Sequence, residues 1–241
     1  MKTSIPLISA LALTLVLGAC STPNAESLAQ NDPWEKTNRE IFEFNLGVDR
    51  AVARPIAKGY RAVVPEIARE GVRNFLTNLN SPVILANDLL QGETEKAGNT
   101  LGRIVINSTI GIGGLIDVAS KVGIPFHAND FGITLGKAGA TEGYYLMLPF
   151  AGPKSPRDLL GTSVDLAFNP FTYAIFPGDN ALMIARISIG ILNARTSQLG
   201  AVETIERSSI DFYATTRNLY RQSRDAKINE GRPGGDDLPN L

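Results

Sequence analysis

The chain has 241 residues, and its 23 lysines and arginines almost balance its 24 aspartates and glutamates, which leaves a net charge of −1. No basic run stands out, and this argues against a nucleic-acid-binding surface because such surfaces need clustered Lys and Arg. Cys20 is the only cysteine, so an exported form of the chain must fold without disulfide bonds, on its hydrophobic core alone.

The N-terminus has the pattern of a bacterial lipoprotein signal. Lys2 provides a short basic start, residues 5–17 are almost entirely apolar, and residues 17–20 (Leu-Gly-Ala-Cys) resemble a lipobox. The apolar run is too short to span a membrane and lies at the extreme N-terminus, as a secretory signal does. We therefore predict a signal peptide over residues 1–19 and acylation of Cys20. The alternative is a signal-anchor segment with a buried cysteine.

Acylation makes Cys20 the mature N-terminus and attaches it to a membrane. More than one acyl chain gives lasting anchorage, whereas a single chain binds only marginally. Ser21 follows the cysteine, with no acidic residue at that position, and by resemblance to enterobacterial lipoproteins this favours sorting to the outer membrane. Residues 20–31 are then a lipid-anchored tether.

Helix-start signals dominate the rest of the chain. The pairs Asp32-Pro33, Ser81-Pro82 and Ser155-Pro156 each place an N-cap residue before a proline at the first helical position. Val64-Pro65 is a weaker start. The expected helices span approximately residues 33–52, 66–79, 82–91, 94–110, 113–122, 156–168, 179–196 and 201–227.

The pattern predicts an all-α fold because clean period-2 strands with hairpin turns are scarce. We expect a single domain over residues 32–228 with about seven or eight helices. The segment 123–153 is rich in Gly, Pro and aromatic residues and is expected to form loops with short helices. The polar tail 229–241 is expected to be disordered.

Asparagines interrupt the apolar faces of two predicted helices. Asn38 and Asn45 lie in the apolar stripe of the first helix, and Asn107 lies beside the stripe of helix 94–110. A buried amide without partners costs about 1–3 kcal/mol. Two interpretations stay open: the asparagines cap neighbouring helices and turns, or they line a polar path that helices enclose.

Two segments are too apolar for an ordinary water-facing surface. Residues 104–124 look like a membrane span, but Asn107, Asp117, Lys121 and several glycines interrupt them. Residues 181–192 are apolar almost all round, and Arg186 is the exception. Such a helix is buried either in a protein core or flat in a membrane.

The sequence offers little for catalysis, a cofactor or a metal. His127 is the only histidine and is expected to lie in a loop, so a His-based metal site or nucleophile would depend on this one residue. The glycines of residues 111–114 match no phosphate-binding fingerprint, and no Gly-x-Ser-x-Gly elbow occurs. We therefore predict that the chain is not an enzyme and binds no cofactor.

The motifs taken together resemble the VacJ/MlaA family of lipoproteins over roughly residues 31–222. The similar residues are Asn31 to Glu35 with Asn38-Arg39, Arg54-Pro55 with Ala57, Tyr60-Arg61, Val72 with Asn74-Phe75 and Asn78-Leu79, Pro82, Asn87 with Leu89 to Gly92, Arg103, Asn107 to Thr109 with Gly111, Gly113-Gly114 and Asp117 to Ala119, Asp130 to Gly132 with Thr134 to Gly136, Gly143 with Tyr145, Leu148-Pro149 and Gly152-Pro153, Arg157-Asp158, and Asp211 with Tyr213, Arg217, Tyr220 and Gln222. Residues 159–200 show less of the family pattern.

The resemblance implies a helical ring that lies in the inner leaflet of the outer membrane and encloses a polar passage. Such proteins remove phospholipid misplaced in the outer leaflet and pass it to a soluble periplasmic carrier, which delivers it to an ATP-driven complex. Members associate with trimeric porins. On this basis phospholipid, the carrier and a porin are the expected partners.

The resemblance also suggests roles for individual residues. Asn38, Asn45 and Asn107 are candidates for the lining of the passage. The glycines of the turn at 111–114 are candidates for close helix packing or a hinge, namely Gly111, Gly113 and Gly114. Four residues are candidates for either the lipid interface or the core, namely Tyr144, Tyr145, Met147 and Phe150.

Two other functions stay open. One is a structural lipoprotein that scaffolds a porin complex without moving lipid. The other is a lipid-modifying enzyme such as a phospholipase, whose activity would depend on His127 or a serine.

Overall fold

The computed structural model describes residues 25–173 and 179–230. The predicted signal peptide 1–19, the predicted lipidation site Cys20 and residues 231–241 of the tail lie outside the described residues. The elements are α1 (Ala25–Ala29), α2 (Glu35–Val48), a π-helix (Asp49–Ala53), α3 (Arg54–Val63), α4 (Glu66–Leu90), α5 (Thr94–Thr109), α6 (Val118–Lys121), α7 (Phe131–Lys137), β1 (Leu146–Leu148), β2 (Gly152–Lys154), α8 (Pro156–Phe168), a 3-10 turn (Pro170–Thr172), α9 (Asp179–Ser197), α10 (Leu199–Ser208) and α11 (Phe212–Asn229).

The predicted helical fold is confirmed, but its first helix starts differently. α2 begins at Glu35, and within the described part of the chain no side chain caps it. Asp32, the predicted N-cap, is fully buried and binds Arg217 instead. For the buried carboxylate of Asp32, the ion pair with a cation from a distant helix is more favourable than one hydrogen bond from a nearby backbone N–H. Beyond α2 the chain continues through the π-helix into α3, which the sequence analysis did not predict.

The predicted helix start at Ser81-Pro82 is wrong, because α4 runs without a break from Glu66 to Leu90. Pro82 has no N–H to donate to the carbonyl of Asn78, which normally interrupts a helix. The helix continues because Val83 and Ile84 just beyond the proline are buried, and because α4 packs on α5, α8 and α9. Tertiary packing therefore overrides the local signal.

Three more predicted boundaries change. Only Val118–Lys121 of the predicted helix 113–122 is helical, with Asp117 as its N-cap. The segment 123–153 contains α7 and one strand of a small antiparallel hairpin in which Leu146 pairs with Lys154. The last predicted helix is divided into two helices, α10 and α11. α11 extends to Asn229, the first residue of the predicted tail. The Ser155 cap and helix 156–168 are confirmed.

The elements pack in a closed order. On one side, α4 contacts α9, α9 contacts α3, and the π-helix joins α3 to α2. The order continues through the hairpin, since α2 contacts β1 and β2 contacts α11. It closes because α11 contacts α7, α7 contacts α8, and α8 contacts α4. This closed order agrees with the ring-like arrangement that the resemblance implies. The hairpin lies between α2 and α11, and the core there contains Phe42, Leu46, Tyr145, Met147 and Tyr213.

The surface carries many apolar side chains. Leu182, Ile184 and Ile187 of α9 are each more than half exposed, so burial in a protein core does not account for the apolar character of this helix. Other strongly exposed apolar side chains are Val63, Ile67, Val105, Ile110, Ile112 and Leu160. Among the described residues, no helix combines the length and apolar character needed to cross a membrane.

Candidate functional site

Two adjoining cavities lie along one face of α4. The first has a volume of about 360 Å³ and lies between α4, α9 and the loop near Phe126. The second has a volume of about 260 Å³ and lies between α4, α5 and Asp117. Arg73, Thr77 and Phe126 line both cavities, so the two volumes meet at these residues. Together they are called the polar cavities below.

Most of the residues that α4 contributes to the polar cavities are polar and follow helical spacing. They are Arg73, Asn74, Thr77, Asn78, Asn80 and Ser81. The sequence analysis assigned none of them to the passage, and it interpreted Ser81 only as a helix cap. Their spacing, with pairs four residues apart, identifies a polar face of the helix, because the intervening Val72, Phe75 and Leu79 are apolar, but it does not show that this face borders a cavity.

A charged wall closes the second cavity. Arg103 donates to the Asp117 carboxylate at 2.9 Å, and Asn107 donates to its other oxygen at 3.0 Å. Partial burial raises the pKa of Asp117, but hydrogen bonds from Ser120, Arg103 and Asn107 outweigh that effect and bring the pKa to about 2. The carboxylate is therefore ionised at neutral pH and compensates the charge of Arg103.

An apolar groove of about 290 Å³ adjoins the polar cavities. α4 contributes Val72, Phe75, Leu76 and Leu79, and α9 contributes Leu182, Met183 and Ile189. Leu76 lines both this groove and the first polar cavity. The guanidinium of Arg186 lies 4.9 Å from the centre of the Phe171 ring in the groove, and burial lowers the pKa of Arg186. A polar and an apolar compartment therefore meet along α4.

Asn38 and Asn45 attach α2 to the hairpin. Asn38 donates to Asp32 and to the carbonyl of Tyr145, and it accepts from the N–H of Met147. Asn45 donates to the carbonyl of Leu148 and accepts from the N–H of Phe150. Both amides thus pair with backbone groups of the hairpin. This agrees with the interpretation that these asparagines cap neighbouring helices and turns.

Asn107 differs because it lines the second polar cavity as well as making structural contacts. Its amide donates to Asp117, and its oxygen accepts from the N–H of Ala119 at 2.9 Å. The structure therefore brings Asn107 to the cavity, but it holds Asn38 and Asn45 at the hairpin.

Asn38→Ala is expected to destabilise the protein by about 2–3 kcal/mol, because a buried N–H, a buried carbonyl and Asp32 each lose a partner. Thermal or urea unfolding of the purified protein in detergent micelles measures the loss. Asn45 is only partly buried, so Asn45→Ala is the matched control and should cost less. Equal stability of Asn38→Ala and wild type would contradict the anchoring role.

The glycines at 111–114 allow close approach of the backbone. A Cβ on Gly111 would lie 2.3 Å from the carbonyl oxygen of Ile116, and one on Gly114 would lie 2.5 Å from the Cβ of Asn78. Gly113 and Gly114 have φ angles of +68° and +98°, where side chains are rarely tolerated. Gly111 and Gly114 therefore permit tight packing of the turn against α4 and α5.

Gly114→Ala is expected to lower stability more than Gly113→Ala. The Cβ of an alanine at 113 points into open space, so this substitution adds only backbone strain of roughly 1–2 kcal/mol. The Cβ of an alanine at 114 adds the same strain and also collides with the side chain of Asn78. Differential scanning calorimetry of both variants in the same detergent gives the comparison. If the two variants melt at the same temperature, the contact with Asn78 does not constrain this turn.

The remaining candidates separate into core and surface residues. Tyr145 and Met147 are 1% and 2% exposed and belong to the core. Tyr144 and Phe150 are 50% and 77% exposed, as an interfacial position requires. His127 lies in a loop, as predicted, with its Nε2 2.9 Å from the buried carboxylate of Asp88.

Comparison with known proteins places the chain in a family. The MlaA lipoprotein family matches residues 30–227. The chain is 35% identical to the intermembrane phospholipid transport system lipoprotein MlaA of Haemophilus influenzae, over 94% of this chain and 90% of that relative. It is 32% identical to the protein of the same name from Escherichia coli, over 97% of this chain and 93% of that relative.

A solved structure is similar to this chain in both fold and sequence. Its description is the structural basis for maintenance of bacterial outer membrane lipid asymmetry, and it superposes with a TM-score of 0.74 at 32% sequence identity. The match covers 82% of this chain and 99% of that chain. Sequence and fold therefore agree that the chain belongs to the MlaA lipoprotein family.

Proposed function

We propose that this lipoprotein removes phospholipid misplaced in the outer leaflet of the outer membrane and passes it to a soluble periplasmic carrier. The observation that carries the proposal is the junction of the polar cavities with the apolar groove along α4. Relatives named intermembrane phospholipid transport system lipoprotein share the family and nearly the whole chain length. Removing such lipid maintains the asymmetry of the outer membrane.

A phospholipid needs two different environments along one route. Its charged headgroup is costly to place in hydrocarbon, and its acyl chains are costly to place in water. The polar cavities provide amide and hydroxyl groups for the headgroup, and the groove beside Leu76 provides an apolar wall for the chains. The passage is passive, and its direction follows the lipid gradient or the distant ATP-driven complex.

We place Asn107 in the lining of this passage and assign Asn38 and Asn45 to anchoring the hairpin. Asn107 borders the second polar cavity with Arg103 and Asp117. The turn that contains Gly111, Gly113 and Gly114 contacts α4 beside this cavity through Asn78, which donates to the carbonyl of Gly113. The turn therefore sets the width of the passage at that point.

Anchorage and embedding follow from two features in this proposal. Acyl chains on Cys20 hold the N-terminus in the inner leaflet of the outer membrane. The exposed apolar side chains of α9, α5 and the turn at 110–116 lie among lipid tails, where their exposure has no cost. The protein then lies in the inner leaflet from the periplasmic side, in contact with a trimeric porin, and the carrier docks from the periplasm.

The family also decides between transport and catalysis. The prediction that the chain is not an enzyme is confirmed by its membership of a family of transport lipoproteins. His127, which with a serine was the candidate for a phospholipase, hydrogen-bonds to the buried Asp88.

The test is the amount of phospholipid in the outer leaflet of intact cells. We expect a strain that lacks this protein to expose more phospholipid and the wild-type gene to reverse the change. A porin scaffold that moves no lipid predicts no rise in the deletion strain, and that result would favour the scaffold.

A further inference from the structure

Arg73 brings a positive charge that is only weakly paired to the junction of the polar cavities. Its side chain is 53% exposed and forms an ion pair with Glu70, which is 50% exposed, at 3.8 Å, beyond hydrogen-bond distance. Such a solvated pair is weak, so a ligand can replace Glu70 as the partner of Arg73. The other charged residues that line these cavities, Arg103 and Asp117, pair with each other at 2.9 Å. The lining of the two cavities therefore carries one net positive charge.

Asn193 on α9 supplies a second, independent observation. The residue is only 5% exposed, and it lines the first polar cavity together with Arg73. Throughout residues 25–173 and 179–230, its side-chain amide has no hydrogen-bond partner. Because the rest of the residue is buried, the amide is open only towards the cavity that it lines, where a ligand can supply its hydrogen-bond partners.

We infer that Arg73 and Asn193 form a binding site for the phosphodiester group of a phospholipid. This inference depends on the proposed function, since it assumes that lipid enters the first polar cavity. The guanidinium matches two phosphate oxygens with parallel N–H donors, and the amide NH₂ of Asn193 supplies another donor. The single net positive charge of the cavity lining matches the single negative charge of a phosphodiester.

The position of the site also selects a lipid over a free anion. Leu76 forms part of the wall of the first cavity and continues into the apolar groove, where Phe75 and Leu79 lie. A phosphodiester held at Arg73 therefore has its acyl chains next to apolar side chains. Inorganic phosphate gains nothing from the groove and carries more charge than the lining compensates.

The experiment uses the full-length lipoprotein, purified in detergent, with photoactivatable phosphatidylglycerol in mixed micelles. A photoactivatable diacylglycerol with the same chains tests the dependence on phosphate. Arg73→Gln and Asn193→Leu are the test variants. Arg61→Gln is the matched control. Arg61 is exposed near the end of α3, so this substitution removes the same charge at a site away from the cavities. Circular dichroism establishes that each variant is folded.

We expect Arg73→Gln to reduce phosphatidylglycerol capture about tenfold and Asn193→Leu about threefold, which corresponds to one charge-assisted and one neutral hydrogen bond. Both test variants should capture diacylglycerol as well as the wild type does. Arg61→Gln should capture phosphatidylglycerol as well as the wild type does. Unchanged capture by Arg73→Gln, or equal losses with diacylglycerol, would overturn the phosphodiester site and leave the passage standing. Competition by millimolar inorganic phosphate would overturn the preference for lipid. Failure of the wild type to capture either lipid would overturn the proposed function itself.

Discussion

Thr77→Trp is expected to abolish phospholipid removal while the protein stays folded and correctly localised. Thr77 lines both polar cavities at the point where they meet, so an indole at this position fills the junction. The side chain of Thr77 is partly exposed, so the larger group extends into open volume and does not displace the core. Cells that carry the variant should expose as much phospholipid as cells that lack the protein.

Two controls separate a blocked passage from a damaged protein. Thr77→Ser keeps the hydroxyl and the open junction, and it should restore lipid asymmetry fully. Arg61→Trp introduces the same bulky residue at an exposed site outside the cavities and should also function. If Thr77→Trp restored asymmetry as well as wild type does, the passage would have to lie elsewhere in the protein.

Arg217→Met is expected to cost about 3–5 kcal/mol of unfolding free energy, because it leaves the carboxylate of Asp32 buried without its cation. Arg217 donates to Asp32 at 2.8 Å, and the two side chains are 6% and 0% exposed. Tyr213 and Asn38 also donate to this carboxylate. The pair therefore connects the segment before α2 to α11. Urea unfolding in detergent micelles at neutral pH measures the loss.

A second substitution tests the physical reason. In the double variant Asp32→Asn/Arg217→Met the lone buried charge is gone, so stability should recover in part. Lys58→Met is the matched surface control, since the Lys58 side chain is 52% exposed and its pair with Glu203 lies at the surface. It should unfold at nearly the same urea concentration as wild type. A double variant less stable than Arg217→Met would show that the uncompensated carboxylate is not the cause.

The helical class and much of the helix order could be predicted from local signals. Ser155 and Pro156 start a helix as expected, because the cap and the backbone it satisfies are neighbours in sequence. The same reasoning was wrong at Ser81-Pro82, where packing on three other helices carries α4 through the proline. It was also wrong at Asp32, whose partner Arg217 is far along the chain.

The candidate site was predictable only in part. The residue types that a polar passage needs are visible in the sequence, but the asparagines that stood out most, Asn38 and Asn45, bind the hairpin. The residues that line the cavities, such as Arg73 and Thr77, look like an ordinary polar face of α4. Nothing in their spacing indicates whether that face meets water or another helix.

The sequence by itself determined the helical class, the family and the absence of a recognisable catalytic set, because these depend on local patterns and ordered motifs. Only the tertiary structure decided which polar residues are anchors and which line a cavity. An amide has the same sequence signature in both roles, and its role depends on its partner. For Asn38 that partner lies more than 100 positions away, and for Asn193 the described chain provides none.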